Sequence, residues 1–201
     1  AYLSRLVLPG WHDAALVRFE SSLFATPPTL WLVQRQNVAV TELLSAGYLS
    51  FYLYAVVVGG LLYFGARADR ARYQRMITAM AAAYVGCYVI YLLWPTEGPR
   101  YALPAATPLG GPLLDLVHLL QRGAGVHGNA FPSAHAAMGA VAVFYLWGRS
   151  QVGAVVLALL VVLMSAGAVY LQYHYASDLV AGLTAGSLAV AAVEVFARQP
   201  A

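Results

Sequence analysis

Apolar residues run along this chain in long blocks rather than in alternation. Five blocks stand out, at residues 43–64, 76–94, 131–147, 152–173 and 179–196. A helix crosses a bilayer in about 17–25 mostly apolar residues, so each is long enough to span. The first, second and fourth carry no charge, the third contains only His135 and the fifth only Glu194. Backbone in lipid must satisfy its own hydrogen bonds, and runs without alternation therefore predict helices. The fold class expected is an all-α integral membrane bundle of five transmembrane helices. Trp94 and Trp147 close two of the blocks, where indole rings favour the interface.

The polar connections orient this bundle. Arg67, Arg70, Arg72 and Arg75 crowd the first loop, while Arg149 precedes the fourth span and Arg198 follows the fifth. Counting spans puts all six on one side, which the positive-inside rule makes cytoplasmic. The other side receives the Pro- and Gly-rich segment 95–130 and the junction 174–178. Segment 95–130 is expected to be a folded extracytoplasmic loop over the site. Within it residues 112–121 read as a short amphipathic helix, leucines on one side and Asp115 and His118 on the other, lying on the membrane surface or roofing the site. Residues 1–40 read as an interfacial segment. Leu16, Phe19 and Leu23 recur at helical spacing after Pro9-Gly10, but Asp13, Arg18 and Glu20 lie too close together for a span. Pro27-Pro28 ends that helix, and Thr29 is expected to cap a second short one carrying Trp31. No linker divides the chain, which implies one domain over 1–201. The first residue is not Met and no signal-peptide pattern opens the chain, so a missing upstream segment is an expectation.

Composition sharpens the picture. The chain is 61% hydrophobic and 9% charged, with a mean hydropathy of +0.69. A soluble domain carries about 25% charged residues, so these charges are too few to cover a water-facing surface. The net charge of +3 comes from arginine alone, and the arginines form no stripe for nucleic acid. The single cysteine, Cys87, lies in an apolar run, has no partner for an internal disulfide and reads as a small core residue. Abundant Ala, Gly and Arg without Lys point to a GC-rich bacterial genome. The expected location is then the inner membrane, with the loop side facing the periplasm or exterior.

Three polar clusters remain: Pro95-Thr-Glu-Gly-Pro-Arg100, Phe131-Pro-Ser-Ala-His135 and His174-Tyr-Ala-Ser-Asp178. They are distant in sequence, yet the topology brings all three to one membrane face, where polar groups are costly. His174 and Asp178 share a helix face, so the carboxylate can hold one ring nitrogen and leave the other's lone pair free for attack. The pair also reads as a surface His–Asp contact, or as two metal ligands lacking a third at helical spacing. His135 follows Pro132 and Ser133 at a helix start, where unpaired amides attract anions and a histidine can protonate a departing oxygen. It reads equally as an incidental histidine on a capped helix. Arg100 offers a fork suited to phosphate, or an anchor beside Tyr101. His12, His118 and His127 have no comparable context.

Phe131-Pro-Ser-Ala-His135 together with Tyr170-Leu-Gln-Tyr-His174-Tyr-Ala-Ser-Asp178 resembles the type 2 phosphatidic acid phosphatase (PAP2) superfamily, over about residues 100–182. The resemblance implies a helical membrane enzyme needing no metal or other cofactor and acting on a lipid phosphate or phosphodiester. It implies His174 as nucleophile, Asp178 as its orienter and His135 as general acid. Arg100, Ser133 and Ala134 would hold the phosphate. Two family positions depart: Leu93 stands where the first motif usually has lysine, and Ala168 where the third usually has arginine. Both losses, and the stretches Glu20-Ser-Ser-Leu-Phe24 and Tyr48-Leu-Ser-Phe-Tyr52, are similar to the branch of inositol phosphorylceramide synthases and related head-group transferases, and the resemblance implies a sixth transmembrane helix upstream of them. A phosphohistidine-forming lipid phosphatase or phosphotransferase leads. A non-catalytic relative binding phospholipid head groups is the alternative. A transporter or channel fits less well, because His135 and Glu194 sit near span ends instead of the midplane.

Overall fold

The computed structural model describes residues 10–104, 109–124 and 128–198. His127 and parts of the 1–40 and 95–130 segments lie outside these described residues. The described chain forms helices α1 (Asp13–Leu23), α2 (Pro28–Val33), α3 (Val38–Phe64), α4 (Arg70–Leu93), α5 (Pro99–Ala102), α6 (Pro112–Ala124), α7 (Ala134–Trp147), α8 (Gln151–Tyr170) and α9 (Ala176–Phe196).

Four of these, α3, α4, α8 and α9, are long and apolar enough to cross a membrane. The fifth expected span is shorter. Its helix, α7, has 14 residues, or about 21 Å of rise against about 30 Å of hydrocarbon. Pro132 and Ser133 precede α7, whose first turn Ser133 caps by accepting the Ala136 amide. Three long helices start earlier than hydropathy alone predicts, because polar caps extend them. Asn37 accepts the Val40 amide at the start of α3, Asp69 the Arg72 amide at α4 and Ser150 the Gly153 amide at α8. At the short helix α2, Pro28 takes the first turn and Thr29 is buried within it, so the expected Thr29 cap is replaced by proline at the helix start.

Helix α7 sits among α4, α8 and α9, and α3 packs along α8. Small residues set this closeness, as expected of helices that meet in lipid. A Cβ at Gly182 would collide with the Ser133 carbonyl, and one at Gly186 with that of Ala137. The backbone of α9 therefore lies directly against the start of α7, and the Ser133 amide donates to the Asp178 carbonyl at 2.9 Å. This contact joins the second and third polar clusters. At the opposite end of the bundle Arg75 pairs with Glu194 at 3.1 Å, Tyr145 donates to the same carboxylate, and Arg72 reaches the Tyr145 carbonyl. The arginine-rich loop and the histidines thus occupy opposite ends, as the span count requires.

Candidate active site

The site is assembled from four helix ends. Helix α8 stops at Tyr170 as Gln172 turns left-handed at φ 60°. The Tyr173 and His174 amides then both fold back onto the Ala168 carbonyl. His174 is thereby presented just before α9, in a loop that also receives the Arg100 amide at the Gln172 carbonyl. Asp178, in the first turn of α9, accepts the Tyr175 amide at 2.9 Å and His174 Nδ1 at 3.2 Å, both on Oδ2. His174 Nε2 meets His135 Nδ1 at 3.4 Å, and His135 Nε2 meets the Tyr48 hydroxyl, also at 3.4 Å. Gln121 Nε2 donates to that hydroxyl at 2.8 Å. The three residues expected to do the chemistry therefore form one continuous chain, and α3 and α6 extend it.

Burial sets the charge state of His174. His174 is only 4% exposed, and this desolvation pushes its imidazole down to about 4, with the Ala130 carbonyl acting the other way. The ring is neutral at pH 7. Since Asp178 Oδ2 accepts, the proton sits on Nδ1 and the lone pair on Nε2, the nitrogen facing His135.

These groups open onto a cavity of about 180 Å³, lined by His135, His174, Arg100, Asn129, Gln121 and four tyrosines among others. Arg100 enters from α5 and is fixed by Tyr173, donating to its hydroxyl at 3.3 Å with the guanidinium 5.3 Å from the ring centre. Tyr173 in turn stacks on Tyr48 at 5.0 Å. Ser133 is wholly buried and its hydroxyl caps α7 while its amide serves Asp178. Among the described residues, Arg100 is the permanent cation and Asn129 an added amide lining the cavity. Leu93 is 61% exposed at the end of α4, and Ala168 is fully buried in one cluster with Tyr48, Val117 and Ala136.

Several supporting residues escaped the hydropathy pattern. Helix α1 is less superficial than an interfacial segment, because Asp13 and Glu20, seven residues apart on one face, are both buried. Asp13 accepts the Glu97 and Gly98 amides at 2.9 and 2.8 Å and the Tyr175 hydroxyl at 3.0 Å. Glu20 accepts the Ser177 amide and hydroxyl at 2.8 and 3.0 Å. The loops bearing Arg100 and His174 are thus tied to a single helix. Helix α6 buries Leu114 and Val117, brings Gln121 to the cavity and is capped by Glu42, which accepts the Leu113 and Leu114 amides. Helix α1 was legible from Leu16, Phe19 and Leu23, whereas the signal for its buried face, Asp13 and Glu20 seven residues apart with Leu16 between them, went unread. Tyr48 opens the stretch Tyr48-Leu-Ser-Phe-Tyr52 noted in the sequence, but without a role at the site, and nothing in the local sequence marks Gln121.

A family model described as the PAP2 superfamily matches residues 14–192. The chain is also similar to a solved structure, the crystal structure of Aquifex aeolicus LpxE, with a TM-score of 0.64 and 15% identity. That likeness covers 83% of this chain and 92% of the other, and at such identity it speaks for the fold alone. No match is found among curated proteins.

Proposed function

The chain belongs to the PAP2 superfamily, and from that premise we propose that it is a membrane lipid phosphatase or head-group phosphotransferase working through a phosphohistidine. The observation that carries this reading is the Asp178–His174–His135 chain opening on a cavity that holds Arg100. In the first step the His174 Nε2 lone pair forms a bond to phosphorus while the bond to the leaving oxygen breaks, and His135, as the imidazolium formed beside the bound anion, gives its Nδ1 proton to that oxygen and becomes neutral. In the second, His135 takes the proton of water or an alcohol as its oxygen attacks the phosphohistidine, the P–N bond breaks, and His174 regains its lone pair. Asp178 stabilises the charge that develops on His174, and Arg100 that on the phosphoryl oxygens.

The finer reading concerns substrate charge. A monoester brings nearly two negative charges and a diester one. With Ala168 and Leu93 at two positions that are cationic in much of the family, Arg100 matches a singly charged diester better. That favours the branch similar to inositol phosphorylceramide synthases, in which a second alcohol replaces water. Ala168 is fully buried, where a charged side chain would lose its water, so this preference is tested on the native chain instead of by adding arginine there.

The deciding experiment is a screen of the purified protein against lipid phosphomonoesters and diesters, with and without alcohol acceptors, scoring phosphate release and head-group transfer. Activity is expected to survive chelation, because histidine is the nucleophile and Arg100 the counter-charge. Turnover of phosphatidic acid with no diester processed would leave a phosphatase and remove the transferase reading. Binding without turnover of any lipid would leave a non-catalytic relative.

A further inference from the structure

The two central histidines are held in different ways, and only the holder of His174 follows from the motifs. The direction of each hydrogen bond can be worked out from the Asp178 end. Asp178 Oδ2 accepts, so His174 Nδ1 carries a proton and Nε2 does not. His174 Nε2 then accepts from His135 Nδ1, which places the proton of neutral His135 on Nδ1 and leaves its Nε2 as an acceptor. The group facing that acceptor is the Tyr48 hydroxyl. Its oxygen already accepts the Gln121 amide, so its own hydrogen is free to point at His135. In this arrangement each of the four contacts along the five-residue chain has one donor and one acceptor.

We propose that Tyr48, steadied by Gln121, is the positioning residue of His135: its hydroxyl holds Nε2, donating to it in the resting ring and accepting from it in the imidazolium, so that Nδ1 faces His174 Nε2 and the reacting phosphorus. The proposal rests on the reading of His135 as general acid. Neutral imidazole is too weak an acid to protonate a leaving oxygen, so His135 acts as the imidazolium, giving its Nδ1 proton to that oxygen while Nε2 keeps its own against the Tyr48 hydroxyl. Without the hydroxyl the resting proton is free to move to Nε2, and the imidazolium loses the acceptor that holds Nε2–H while Nδ1 gives up its proton. When the ring becomes an imidazolium, the same hydroxyl can turn and accept from Nε2–H, because a phenol both donates and accepts. The ring of Tyr48 is itself fixed by stacking on Tyr173 at 5.0 Å and by its place in the buried cluster with Val117 and Ala136. Phe51 closes the other contact of the His135 ring at 4.4 Å.

Tyr48→Phe isolates the hydroxyl, since the aromatic ring and its packing are kept. In the full chain in lipid, nitrogen NMR on labelled histidine is expected to show wild-type His135 protonated on Nδ1. Its signals are assigned through His135→Gln. In Tyr48→Phe the ring should shift toward the Nε2–H form. Kinetically, kcat for an alkyl phosphate ester should fall about 10–100-fold, with KM unchanged, while a para-nitrophenyl ester, whose leaving group needs little protonation, loses far less. Gln121→Leu should move both readouts the same way by a smaller amount. An unchanged tautomer in Tyr48→Phe, or equal losses on both esters, overturns the proposal. His135→Ala separates the two levels: if it discriminates between the esters and Tyr48→Phe does not, His135 remains the general acid and Tyr48 is not its positioner. If His135→Ala fails to discriminate, the general-acid reading itself falls and takes the proposal with it.

Discussion

At the scale of single residues, the chemistry depends on burial as much as on identity. Desolvation lowers the His174 imidazole to about 4, whereas an unperturbed histidine would be half protonated near pH 6.5. Its Nε2 lone pair is therefore expected to persist from about pH 8 down to about pH 5, which histidine nitrogen shifts can follow directly. The same shift has a cost for the fold. The unfolded chain takes up this proton near 6.5 and the folded one not until near 4, so stability falls as pH drops through that window. Unfolding measured across the range should show it, and a His174→Asn variant should blunt the effect. The histidines, Asp178 and Arg100 were legible because each lies in a short polar cluster that interrupts apolar sequence. Ser133 was legible as a helix cap, yet its burial and its bond to the Asp178 carbonyl depend on the close approach of α9 at Gly182, which no local pattern reveals.

At the scale of elements, hydropathy located the four long apolar helices and the shorter α7 but misjudged their ends. Caps such as Asn37, Asp69 and Ser150 carry helices past the last apolar residue, and the left-handed Gln172 stops α8 inside an apolar run. Helix α1 shows the limit of reading charge as exposure. Asp13 and Glu20 resemble the polar face of a surface helix, but both are buried because each meets backbone amides or hydroxyls of the site loops. Hydrogen bonds to a charged group are worth about 1.5–3 kcal/mol, and removing the acceptor leaves buried donors unpaired. Glu20→Ala is therefore expected to cost about 2–4 kcal/mol of stability and to lower kcat through the displaced start of α9. Glu20→Gln, which keeps one oxygen, should cost less. Thermal unfolding alongside lipid turnover checks both, and an Ala variant as stable and active as the parent would remove α1 from the account of the site.

At the scale of the whole molecule, the bundle separates an arginine-rich end from a histidine end. Arg72 and Arg75 tie the first loop to α7 and α9 at one end, while α1, α5 and α6 gather over the other. That polarity was readable from the loops alone, since counting spans needs only their order. The positive-inside rule predicts that the histidine end faces outward. An impermeant thiol reagent on intact cells should then label a cysteine placed at Ser177 and spare one placed at Arg70, once Cys87 is replaced. Labelling at position 70 only would reverse the orientation. The central claim is more direct: His174 carries the phosphoryl group between the two half-reactions. Rapid acid-free quenching of the enzyme during turnover of a lipid labelled in its phosphate, followed by peptide mapping, measures this. The account predicts an acid-labile, base-stable phosphate on the peptide containing His174, absent in His174→Ala and longer-lived in His135→Ala. A phosphate mapped to any other residue, or lipid turnover that continues in His174→Ala, would contradict it.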